Sequence, residues 1–178
     1  MKKILLLLIP AFILLSCNNE ATETETVTTT DTTISNETLN LPYTVERTPD
    51  WERGDNAHVS VAMNTLRAFE LNDMNSLQQY LADSVEFYYD NLSFKGSKDS
   101  LVSLFTRLRN GLDTMYVRMQ DYESVKSKNR GEEWVGLWYI EAVKPKGGKL
   151  DSTMVMDDIK IVNGKVAIID SKMRRIKN

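Results

Sequence analysis

From Trp51 onward the apolar positions change period several times, and each change marks an element. Val59, Ala62, Met63, Leu66 and Phe69 recur every three or four residues, the stripe of a helix that Asp55 can cap and that runs to about Leu71. Asn72-Asp73 interrupts it, and Met74, Leu77, Tyr80 and Leu81 set a second, shorter helix. The period then drops to that of a strand over residues 84–89, where Val85, Phe87, Tyr88 and Tyr89 concentrate β-branched and aromatic side chains. Residues 90–96 read as a loop. Ser97 can cap a third helix with Leu101, Leu104, Phe105 and Leu108 inward, and Gly111 is placed to stop it.

The rest of the chain alternates as strands do. Residues 114–126 set Met115, Val117 and Met119 against Tyr116, Arg118 and Gln120. Three long strands follow, over 134–143, 152–162 and 165–176, with Lys144-Pro145-Lys146-Gly147-Gly148 as the first turn and Asn163-Gly164 as the second. A type I′ turn needs positive φ at both central positions, which Asn-Gly tolerates, so the last pair is a hairpin. Trp134, Trp138 and Ile140 on one face and Val135, Leu137 and Tyr139 on the other make the first of these strands apolar on both sides, hence central. The order helix, helix, strand, helix, then four strands describes an α+β domain over residues 51–178. Its mainly antiparallel sheet curls around three N-terminal helices.

Upstream the pattern is of another kind. Lys2-Lys3 precedes an apolar run from Ile4 to Leu15, broken only by Pro10, and Ser16-Cys17 ends it. Its length falls short of the roughly 20 residues a spanning helix requires, so residues 1–16 read as a signal peptide. Leu14-Leu15-Ser16-Cys17 resembles the bacterial lipobox, and the sole cysteine stands where that motif needs it. The resemblance implies cleavage before Cys17, lipid on its sulfur and terminal amine, and attachment to a membrane of the bacterial cell envelope, facing the periplasm or the outside. Residues 17–50 continue as a Thr- and Glu-rich tether. From Asn18 it holds seven acidic residues and one Arg, too few apolar groups to offset the entropy of ordering. At 33 residues it would hold a domain on the order of 30 Å from the bilayer.

Formal charge is −3, and without Lys2 and Lys3 it is −5, 20 basic groups against 25 acidic. That balance excludes a nucleic-acid binder, which needs a basic face to displace counterions. One cysteine excludes an internal disulfide, so the fold must rest on its apolar core.

The element order, together with Leu81-Ala82-Asp83-Ser84-Val85-Glu86-Phe87-Tyr88-Tyr89-Asp90, Lys95-Gly96-Ser97 and Gly164-Lys165-Val166, resembles the nuclear transport factor 2-like superfamily over residues 55–175. That group includes steroid delta-isomerases and polyketide cyclases of the SnoaL-like kind. The resemblance implies a cone-shaped fold with a pocket between helices and sheet. It also implies Asp90 as a base after the first strand and Asp157 as a second, hydrogen-bonding acid on the penultimate strand. The tyrosine that completes an isomerase's oxyanion hole is missing, since the matching helical position is Ala68 or Phe69.

Around those acids, Tyr88, Trp138, Tyr139 and Met156 are the expected pocket lining, with the Met-, Trp- and Tyr-rich sheet face equally suited to packing between two copies of the chain. His58, the only histidine, falls in the first turn of the first helix and reads as solvated. No His-Glu-x-x-His, Gly-x-Ser-x-Gly or phosphate-loop spacing occurs, so neither a metal nor a cofactor is expected. Lys172, Arg174, Arg175 and Lys177 read as the wet end of an edge strand. Three functions follow as expectations. The first is a lipid-anchored module that binds a small apolar ligand or a partner without catalysis. The second is an acid-base enzyme (isomerase, cyclase or dehydratase) using Asp90 and Asp157, and the third a structural homodimer with a filled cone.

Overall fold

The computed structural model describes residues 40–46 and 50–176. The expected signal peptide, Cys17 and most of the tether lie outside them. Backbone contacts divide the chain into Met1–Thr44 and Val45–Asn178, and the regular structure described belongs to the second unit.

Asp55 caps helix α1 (Asn56–Glu70), its Oδ1 accepting from the Ala57 amide at 2.8 Å. Asn72, at φ 59°, turns the chain, and Asp73 caps α2 (Met74–Tyr80) by accepting from the Ser76 amide and hydroxyl. Ser97 caps α3 (Lys98–Asn110), and Gly111 ends it. The strands are β1 (Trp51–Arg53), β2 (Leu81–Tyr89), β3 (Leu92–Ser97), β4 (Leu112–Ser127), β5 (Glu133–Pro145), β6 (Asp151–Val162) and β7 (Lys165–Arg175). They form one sheet in the order β1-β4-β5-β6-β7-β2-β3, antiparallel except where β2 runs parallel to β7.

Two strands differ from the sequence expectation. The expected loop over 90–96 is mostly β3, hairpinned onto β2 through a turn in which Asp90 takes φ 51°. Leu92, Phe94 and Gly96 alternate with exposed neighbours, a strand pattern masked by the turn-forming Asp90-Asn91 before it. β1 is too short to carry a period of its own. Asp50, just before it, holds it down: Oδ2 accepts from the Ser127 hydroxyl and the Asn129 amide, both at 2.7 Å, and Arg130 stands 3.1 Å from Oδ1. A third difference concerns the basic end of β7. This strand lies inside the sheet between β6 and β2, and only beyond Ser171 does it keep β6 as its single strand partner.

The helices cover one face of the sheet. Since β3 and β4 stand near opposite edges, α3 must carry the chain across that face, which it does by packing on β2, β3 and β4. Irregularities curve the sheet and keep it open: β4 slips past β5 between Met119 and Asp121, and β7 slips past β6 at Ile161. The concave face buries Val135, Leu137 and Tyr139 of β5, Val155 and Ile159 of β6, and Val85 and Phe87 of β2 against Val59 and Ala62 of α1 and Leu101 and Phe105 of α3. Phe105 links the layers, its ring 5.0 Å from Phe69 and 4.9 Å from Phe87. Glu70 ties the end of α1 to the open edge of β4: Oε1 accepts from the Val117 amide at 3.2 Å, and Oε2 pairs with Arg67 at 2.6 Å.

Candidate functional site

Curvature leaves a hollow between the helices and the concave face, a cavity of about 270 Å³. Ala62, Leu66 and Phe69 of α1, Phe105 and Leu108 of α3, Met115 of β4 and Ile159 and Ile169 of the sheet give it an apolar wall. Leu108 is 40% exposed and marks the rim. The cone is therefore hollow rather than filled.

On the sheet side the lining turns polar, with Tyr139 and Glu141 of β5, Asp157 of β6, Ser171 of β7 and Tyr89 of β2. Strand alternation puts them there. Positions 135, 137, 139, 141 and 143 of β5 share a face, and Asp157 pairs with Leu137 across the β5–β6 ladder and with Ser171 across the β6–β7 ladder. The Tyr139 hydroxyl donates to Asp157 Oδ2 at 2.9 Å, and the Tyr89 hydroxyl to Glu141 Oε1 at 3.3 Å. Two acid–phenol pairs thus stand side by side.

Their electrostatics follow from burial. Asp157 is 4% exposed, and its Oδ1 has no hydrogen-bond partner. Burial raises its pKa from 3.8 to about 6, the hydroxyls of Ser171 and Tyr139 pulling against that rise. Burial also raises Glu141, with the Tyr89 bond opposing and the Asp157 charge adding. The Tyr139 phenol is held well above its ordinary value, first by burial and then by Asp157, so it stays a donor at neutral pH. Such a site can accept a hydrogen bond, hold a cation or exchange a proton near neutral pH.

The residues expected at the site separate accordingly into two faces. Asp157 and Tyr139 meet in the cavity. Asp90 is exposed at its turn and outside the lining, so the two aspartates are not brought together. Tyr88, Trp138 and Met156 are also outside the lining, because each is one residue from an inward neighbour and a strand sends successive side chains to opposite faces. Tyr88 donates instead to Glu86 at 2.6 Å, and Trp138 lies over Gly136, whose added Cβ would come within 2.8 Å of the indole. Glu141 and Tyr89 are lining residues that the sequence pattern left unmarked, although the run Val135, Leu137, Tyr139 points to position 141 and Phe87 points to position 89. His58 is largely buried rather than solvated, its Nδ1 facing Glu133 at 3.4 Å, away from the cavity lining. Among the described residues no group of three or more His, Cys, Asp or Glu is placed to hold a metal ion.

No protein-family model matches the chain, and no curated protein matches it. Solved structures do resemble it. An LEH-like epoxide hydrolase of Mycobacterium tuberculosis superposes with a TM-score of 0.56 at 12% identity, covering 67% of this chain and 84% of that one. AusH of Aspergillus nidulans gives 0.54 at 15% identity over 69% of this chain and 87% of its own. A nuclear transport factor 2-like protein of unknown function from an Exiguobacterium species gives 0.52 at 11% identity over 64% and 98%. At such identities the likeness is one of architecture. Three helices laid on a curved, unclosed and mainly antiparallel sheet give this chain the α+β cone of the nuclear transport factor 2-like fold.

Proposed function

We propose that this chain is an envelope lipoprotein, held to the membrane through lipid on Cys17, whose domain over residues 51–178 binds a small, largely apolar molecule without transforming it. One observation carries the binding half: an apolar hollow of about 270 Å³ with a single polar side, the form a ligand pocket takes when hydrocarbon supplies affinity and a few polar groups fix orientation. The lipoprotein half is supported by Leu14-Leu15-Ser16-Cys17 at the end of the apolar run.

A neutral hydrophobic dye such as Nile red tests the binding reading. Its fluorescence is expected to rise on saturable, one-to-one binding, and Leu108→Trp, which places an indole at the rim, is expected to weaken that binding at least about tenfold. Uptake that does not saturate, or that ignores the substitution, counts against the hollow as the site.

A second reading, an acid-base enzyme, is favoured by Asp157 itself, a buried carboxyl poised near neutrality beside a phenol donor. It would rest on Asp157, Tyr139 and Glu141, since Asp90 is outside the lining.

A further inference from the structure

Resting on the cavity as a binding site, we propose that its ligand is an apolar molecule bearing a protonated amine, with the ammonium paired to Asp157 and the hydrocarbon filling the hollow.

The lining is rich in acceptors and nearly spent of donors. It holds four hydroxyls, and three already give their protons to the protein: Tyr139 to Asp157, Tyr89 to Glu141 and Thr65 to the Val61 carbonyl at 2.8 Å. The fourth, Ser171, is the cross-strand neighbour of Asp157. A ligand that needs donors, such as a carboxylate, finds among the lining side chains only the Ser171 hydroxyl. Asp157 meanwhile keeps Oδ1 unpartnered at 4% exposure. A buried acceptor left unpaired carries a cost that a donor from the ligand relieves.

Charge points the same way. The lining contains two carboxyls, Asp157 and Glu141, and no Lys, Arg or His. α1, α3 and β4 contribute no charged group to it, β2 contributes Tyr89 and β7 contributes Ser171. The adjoining cation, Lys172 of β7, is engaged with Asp158 at 2.6 Å and Asp170 at 2.9 Å. The hollow is thus a pocket of one sign within low-dielectric walls, which favours a cation and repels an anion. Pairing requires the ionised carboxyl, so binding expels the Asp157 proton wherever one is bound.

Hexylamine, hexanol and hexanoate share one tail and differ in head group. Titrated calorimetrically into the full-length protein at about pH 7.5, where Asp157 is ionised and the amine protonated, hexylamine is expected to bind at least about tenfold tighter than hexanol and hexanoate least of all. Asp157→Asn, nearly isosteric, is expected to abolish the preference for hexylamine over hexanol. In the unsubstituted protein the affinity for hexylamine should climb as pH rises through about 6 while that for hexanol stays flat. Hexanoate binding as tightly as hexylamine, or a hexylamine profile flat with pH, overturns the assignment. If hexanol and Nile red bind with no preference for the amine, the head-group assignment alone is lost. If neither binds, the binding reading falls with it.

Discussion

Asp157 is where a single side chain has the largest consequence. Its folded pKa, about 6, lies above the 3.8 of an exposed carboxyl because the charged form has lost its water. A folded value above the unfolded one gives a contribution to stability that is complete below 3.8 and is lost as pH rises through about 6. By the top of that window the loss amounts to about 3 kcal/mol. Asp157→Asn removes the titration, so its stability relative to the unsubstituted protein is expected to improve by about that much across the window. Urea denaturation at several pH values measures the difference, in which the other carboxylates cancel, and a difference flat with pH would refute a buried charge here. Tyr139→Phe acts on the same carboxyl from the other side. Without the phenol bond the Asp157 pKa should climb above about 6, readable by carbon-detected NMR titration of the carboxyl. At this scale the sequence shows which residues carry chemistry better than which of them share a face. Asp157, Ile159 and Ile161 are legible as inward from their alternation. Met156 and Trp138 suit a pocket by chemistry but not by parity, and Glu141 suits it by parity while its charge argues for water.

Turns decide more than helices do at the scale of elements. Asn163 and Gly164, at φ 52° and 70°, join β6 to β7, and the one-residue slip at Ile161 then places Ser171 rather than Asp170 opposite Asp157. Nothing lies within 4 Å of where a Cβ on Gly164 would stand, so Gly164→Ala meets only the backbone penalty of a left-handed conformation. An expected loss of about 1 kcal/mol should appear as a lowered midpoint in thermal unfolding. All three helices are legible from period and cap, because Asp55, Asp73 and Ser97 each stand before an apolar stripe. β3 is not, since a six-residue strand beside a strong turn signal yields to it. β1 is not either, because three exposed residues acquire a strand conformation only from the partner they pair with.

For the whole molecule, the proposed lipid anchor and the cone are separable, and so are their tests. Cys17→Ser is expected to move the chain from the membrane fraction to the wash while leaving Nile red binding unchanged, because the site lies wholly in residues 62–171. Retention of the variant in the membrane fraction would rule out lipid on Cys17 as the anchor. The outer face of the sheet carries compensated charge, as in Lys95 with Glu86 and Lys172 with Asp158, beside half-buried Trp134, Trp138 and Met156.

By itself the sequence determined the class of fold, the three helices and their caps, the meander and the presence of an acid on the penultimate strand, because period, caps and turn residues are local and write themselves into neighbouring positions. Tertiary structure alone decided that the cone is hollow, that Asp90 looks outward and that Glu141 and Tyr89 join Asp157 and Tyr139. Those facts depend on strand register, sheet curvature and the path of α3 across the sheet, which couple residues far apart in the chain and leave no mark on adjacent ones.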